Sequence, residues 1–98
     1  MNKTEIGWVG RYGGKLLARL KEHAPDRYTS MLFEGTLKEY LLTENERISS
    51  RIWDLTRELA EQNGVNEDLK QRDQMRWVQE INAFRNMAEE LALAEYIV

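Results

Sequence analysis

The densest run of residue types suited to ligand chemistry is Gly10-Arg11-Tyr12-Gly13-Gly14-Lys15, which invites comparison with a phosphate-cradling loop. Such a loop needs a glycine five residues ahead of its last one, a Ser or Thr after the lysine to hold magnesium, and a strand in front. Val9 and Leu16 stand at those two positions and nothing strand-like precedes them, so the run reads as a flexible lead-in to a helix. His23 is the one histidine, beside Glu22 and just ahead of Pro25, where a cation gains from the end of a helix dipole; it reads as a surface residue. With no cysteine and a single histidine, thiolate chemistry, zinc sets and Ser/His/Asp or Cys/His triads fall away. Carboxylate pairs remain at Glu44/Glu46, Glu58/Glu61 and Glu89/Glu90, but these read first as solvated helix faces, with Asp54/Glu58 and Arg51/Arg57 offering surface ion pairs. The expectation is a protein that is not an enzyme, with no catalytic, cofactor-binding or metal residues, no cofactor and no small-molecule substrate.

Other residues speak to binding. Gln74, Val78, Asn82 and Arg85 recur at helical spacing along one flank, as a polar edge that hydrogen-bonds to the N-terminal segment or as a recognition surface. Leu42 and Trp53 lie off the main apolar line of their helix and need some cover. Arg11, Lys15, Arg19, Lys21 and Arg27, with Lys3, alternate with Trp8, Tyr12 and Tyr28, the composition of an arm that contacts nucleic acid. Against that stands a pI near 5.2, far below that of a dedicated nucleic-acid binder. Asn45 interrupts an apolar stripe, either as a buried amide that fixes register between helices or subunits or as an exposed residue near a helix start.

The elements that would position these residues are helices. The glycines between Gly7 and Gly14 predict a non-helical lead segment over 1–13, followed by a single helical domain over 14–98. Leu16, Leu17, Leu20 and Ala24 give a first short helix that Pro25 ends. Pro25 opens a second with Tyr28, Met31 and Leu32 inward, and Gly35 stops it. Thr36 and Glu39 form a capping box for a long third helix with Leu37, Leu41, Ile48, Ile52, Leu55 and Leu59 on one stripe. Asn63-Gly64 ends it, Asn66 caps a fourth helix, and Trp77, Ile81, Phe84, Ala88 and Leu91 face back. Two long helices joined by so short a loop pack antiparallel. The predicted fold class is all-α, two short N-terminal helices packed on a long antiparallel helical hairpin. Met75, Met87, Leu93, Ala94 and Ile97 lie off the stripe of the fourth helix, so the short helices or a second copy of the chain must cover what the hairpin leaves.

At 98 residues, 42% hydrophobic and 32% charged, the composition is that of a folded domain with one core. The N-terminal 28 residues hold six basic and three acidic side chains and the remainder eight and fourteen, a net of +3 against −6. No apolar run approaches the roughly 20 residues needed to cross a bilayer, and the start lacks the apolar stretch of a signal peptide, so the expected location is the cytoplasm, away from membranes.

Leu20-Lys21-Glu22 followed by Tyr28, Gly35-Thr36-Leu37 with Tyr40-Leu41, and above all Gln74-Met75-Arg76-Trp77-Val78 with Asn82, Arg85, Ala88 and Glu90 resemble the small TnpV-like proteins encoded on transposons and related bacterial mobile elements. The resemblance runs over about residues 6 to 98 and departs at the start, where this chain has little of the longer leader found in such proteins. It implies a genetic context, that of an accessory protein of a mobile element, and no mechanism, and it brings no catalytic residues. Together with the unused apolar and polar flanks of the hairpin it leads to the expectation of a non-enzymatic protein acting through protein contacts or DNA association. The expected partners are a second copy of the chain, which the uncovered apolar residues call for, or another protein of the element, with DNA as the alternative. Two other readings stand beside it. One is a small DNA-binding regulator in which helices 15–24 and 26–34 and the start of the third make a helix-turn-helix-like unit, and the other is a carboxylate-based enzyme.

Overall fold

The computed structural model of the chain describes residues 6–96. Five helices make it up: α1 (Arg11–His23), α2 (Pro25–Glu34), α3 (Leu37–Gln62), α4 (Glu67–Arg72) and α5 (Gln74–Tyr96), with no strand among the described residues. The expected all-α class holds. The described chain falls into two compact units that meet within α3, one up to Ser49 and one from Ser50.

In the first unit, α1 and α2 pack on the opening turns of α3. Val9, Leu16, Leu20, Leu37 and Leu41 form the buried centre, with Ile6, Leu17, Ala24, Tyr28, Met31, Leu32 and Tyr40 packed against it. Pro25 starts α2 at the position where its missing N–H costs nothing, a single residue after α1 ends. Gly35, at φ 78°, closes α2: its amide donates to the Leu32 carbonyl and the Thr36 amide reaches back to Met31.

Two local expectations need correcting here. The capping box at Thr36 is not made. The turn that ends α2 brings the Met31 carbonyl within reach, and the Thr36 hydroxyl donates to it at 3.4 Å instead of capping α3. The lead segment also ends earlier than residue 13, because α1 already starts at Arg11. Glycine content alone predicts irregular chain there, but the cap that overrides it comes from α3: Asn45 Oδ1 accepts from the amides of Tyr12 (2.9 Å) and Gly13 (3.1 Å). Gly13 is buried, and a Cβ there would sit 3.1 Å from the Leu41 carbonyl, so glycine serves the close approach of α1 to α3.

The second unit is an antiparallel hairpin. The end of α3 turns at Gly64 (φ 70°), Asn66 caps α4 by accepting from the Leu69 amide at 3.0 Å, and α5 runs back. Antiparallel pairing shows at both ends. Ala60, Val65 and Leu69 pack with Trp77, Ile81 and Phe84 near the turn, while Arg51 pairs with Glu95 at the far end. The single fourth helix predicted from the sequence is two. Asp73 leaves helical geometry (φ −151°, ψ 83°) and its carboxylate accepts from the Arg76 amide at 3.1 Å, ending α4 and capping α5.

The inward faces also drift from the predicted stripes. On α3 the buried line is Ile48, Ile52, Thr56 and Ala60, with Leu55 and Leu59 only half-buried. On α5, Ala88 and Ala92 are buried and Leu91, expected inward, is exposed. A step of four overshoots the 3.6-residue period by about 40°, so the buried line winds gradually around the helix and departs from the heptad line on which Leu91 lies. Ile97 lies outside the described residues. No described helix is long and apolar enough to cross a membrane.

Candidate functional site

Titratable side chains are dispersed. Among the described residues no group of three or more His, Asp or Glu is arranged to hold a metal. His23 is exposed, its Nε2 2.9 Å from Glu22. Three acidic residues of the helices are drawn into local surface pairs: Glu44 with Arg47, Asp54 with Arg57, and Asp68 with Arg72. Arg51, expected to pair locally, instead makes two bonds across the hairpin to Glu95, Nε to Oε1 at 3.0 Å and Nη2 to Oε2 at 3.1 Å. This bidentate contact raises the Arg51 pKa and holds the Glu95 carboxyl below its ordinary value.

The first unit places the candidate nucleic-acid residues as follows. Arg11, Lys15 and Lys21 are exposed on α1, Arg19 is half-buried, and Arg27 is exposed on α2. Three of these cations lie over tyrosine rings: Arg11 over Tyr12 at 5.9 Å, Lys21 over Tyr28 at 5.4 Å, and Arg27 over Tyr40 at 5.3 Å from the ring centroid. Two of the basic residues in the alternation read as a nucleic-acid arm, Arg11 and Lys21, thus lie on its own tyrosines, Tyr12 and Tyr28. Arg27, the basic residue of what would be a recognition helix, is held this way, and Asp26 and Glu34 flank it on α2. A shallow recess of about 400 Å³ in this unit has a mixed lining, with Met31 and Tyr40 beside Thr36, Glu39, Thr43, Glu44 and Arg47.

In the second unit Gln74, Val78, Asn82 and Arg85 do share one exposed flank of α5. Gln74, Asn82 and Arg85 have no side-chain hydrogen-bond or ion-pair partner among the described residues, so this edge is solvated. Leu42 and Trp53 are both exposed, as their off-stripe positions predict, but they fall in different units.

Trp53 is the informative one of the pair. It is 55% exposed and forms one wall of a groove of about 490 Å³ whose opposite side is Trp77 and Ile81 of α5. Thr56, Ala60 and Val65 lie between them, and Arg57, Glu61, Asn66 and Glu67 form the rim. The local causes are plain in the chain. Small Ala60 lets the groove deepen, the Gly64 turn brings Val65 beside it, and the break at Asp73 starts α5 where Trp77 faces the end of α3. Lys70 Nζ lies 4.8 Å from the Trp77 ring centre and fixes its outer face. Arg57 is neutralised by Asp54, and neither Glu61 nor Glu67 has an ion-pair partner among the described residues, so these two carboxylates outweigh the single cation, Lys70, that lies on Trp77. Sequence reading placed Trp77 in a closed core and Trp53 on a loose flank. The hint that they meet was the helical series 53, 56, 57, 60 and 61 combined with the tight turn after it.

Fold and surface together define a class: an all-helical protein with an apolar groove between antiparallel helices and with its ionisable groups scattered. The sequence model of one family, described as "Transposon-encoded protein TnpV", matches residues 1–97. The chain belongs to this TnpV family of transposon-encoded proteins. Among curated proteins and solved structures nothing matches it.

Proposed function

We propose that this transposon-encoded protein is a non-enzymatic accessory factor of its mobile element, working in the cytoplasm by holding a protein partner through the groove between α3 and α5. The observation that carries the reading is Trp53, a large aromatic side chain more than half exposed at the mouth of an apolar groove. Tryptophan is among the residue types most enriched at the energetic centres of protein interfaces, where an apolar pocket ringed by polar groups excludes water. The scattered carboxylates and exposed lone histidine support a binding role over a catalytic one. DNA association draws less support, since Lys21 and Arg27 are already held on tyrosine faces.

The test is quantitative binding of the purified chain to each protein encoded by the same element and to duplex DNA from the element's ends, across a salt series. One protein should bind, and Trp53→Glu should weaken that binding by about tenfold or more while helical circular dichroism is unchanged. Binding to DNA alone, falling steeply with salt and lost in Lys15→Glu, would overturn the proposal in favour of a nucleic-acid role.

A further inference from the structure

Resting on the reading of the groove as a docking site, we propose that its occupant is Trp8 of a second copy of this chain, so that the protein self-associates head to tail. Trp8 is 79% exposed, yet its backbone is not loose. Val9, the next residue, is buried at 3% exposure in the first unit's core. Gly7 (φ 80°) and Gly10 (φ 90°) turn the chain on either side, and Asn45 clasps the start of α1 immediately after. The indole is therefore held outward by a fixed stem, which lowers the ordering cost of docking it.

Charge selects the same pairing. Trp8 is followed on α1 by Arg11 and Lys15, within an N-terminal segment of net +3. The groove rim carries Glu61 and Glu67 without ion-pair partners among the described residues. A second copy thus offers an apolar anchor with cations behind it to an apolar groove with carboxylates around it. Phe33, still more exposed at 92%, fails this match, because Glu34 adjoins it and the rim would repel that carboxylate. A groove of about 490 Å³ has room for an indole and its flanking backbone. One such anchor covers far less than the ~1,200–2,000 Å² of a stable interface, which places the association among weak ones.

Sedimentation equilibrium of the full chain from about 1 μM to about 1 mM tests this. The average mass should rise with concentration at low salt and fall when salt is added. Trp8→Ala, and separately the double variant Glu61→Lys/Glu67→Lys, should each associate at least about tenfold more weakly with unchanged helicity. Mixing the two variants should restore a heterodimer, since the first keeps its groove and the second keeps its Trp8. A purely structural role for either site would not be rescued by mixing. A monomer throughout the range, or a Trp8→Ala chain that associates like the parent, would overturn the proposal. If the parent is monomeric while Trp53→Glu still abolishes binding to a protein of the element, the docking reading survives and the second-copy occupant falls. If Trp53→Glu changes nothing either, both fall.

Discussion

Residues 6–49 and 50–96 share one continuous helix and deploy their large side chains in opposite ways. In the first unit the branched aliphatics go inside: Val9, Leu16, Leu20, Leu37 and Leu41 are buried together and aromatics such as Tyr28 and Tyr40 cover them. In the second, Ile52, Val65 and Leu69 are buried among small or polar positions, Thr56, Ala60, Ala88 and Ala92, while Trp53, Trp77, Ile81 and Phe84 stand half-buried or exposed. A core filled with leucine closes on itself, whereas helices brought together over alanine leave their aromatics at the margin, where they can make a groove. The comparison teaches that one half of this protein is built to be stable and the other to leave apolar surface available.

The largest effect should come from Leu41→Ala. Leu41 is fully buried, so its truncation should cost about 3 kcal/mol, a large share of the ~5–15 kcal/mol that holds a domain of this size. Urea unfolding measures it, against Trp53→Ala, which should change stability by less than about 0.5 kcal/mol. Equal costs would break the contrast between a closed and an open half.

Next is the clasp at the start of α1. Gly10 has φ 90° and ψ 163°, a region open essentially to glycine, and a Cβ there would meet the Asn45 amide at 2.3 Å. Gly10→Ala should therefore cost about 2 kcal/mol or more, and Asn45→Ala about 1–2 kcal/mol through the two amides it orphans. The double variant should cost less than the sum, because removing the amide makes room for the new methyl. Denaturant midpoints of the four proteins close the cycle, and strict additivity would show that the two residues do not meet.

Much of this was legible in the sequence, for reasons that particular residues make clear. The turns at Pro25, Gly35, Gly64 and Asn66 were readable because each rests on chemistry within a few neighbouring residues. Asn45 stood out as a polar break in an apolar line, but its partners, the amides of Tyr12 and Gly13, lie 33 and 32 residues away and no local rule points to them. Asp73 was missed because a single residue ends one helix with its backbone and caps the next with its carboxylate inside a polar run with no glycine or proline. The groove was half legible. Trp53 announced itself by its off-stripe position, but the depth beside it depends on Ala60 and on Trp77 arriving from the other arm, which only packing decides. Of function, the family resemblance gave the transposon context.

A smaller effect tests the second unit's core. Thr56 is almost fully buried and its hydroxyl donates to the Ile52 carbonyl at 2.7 Å. That carbonyl keeps its helical amide partner when the hydroxyl goes, so Thr56→Val leaves no buried group unsatisfied. Stability should change by less than about 1 kcal/mol, whereas Thr56→Ala should be destabilising by about 1 kcal/mol or more through the lost methyl group. Thermal unfolding of both separates them. A strongly destabilised valine variant would mean that the hydroxyl has a partner beyond its own helix.

The smallest effect concerns the pair that joins the far ends of the hairpin. Arg51 holds the Glu95 carboxyl below its ordinary value, so the pair favours the folded state only while Glu95 is ionised. A depressed folded-state pKa adds stability that is present above the unfolded carboxylate range and is lost as pH falls through the folded value. Arg51 is shifted upward from an ordinary value already far above neutral, chiefly by its hydrogen bond to Glu95, so it stays charged at any working pH and adds no pH dependence of its own. Both side chains are well exposed, so the gap in melting temperature between the parent and Glu95→Gln should be slight at neutral pH. It should shrink with added salt and vanish in acid, where the parent's carboxyl is protonated too. A gap that survives acid would mean that Glu95 contributes through packing of its stem rather than its charge, and the two arms of the second unit would then be held at this end by contact alone.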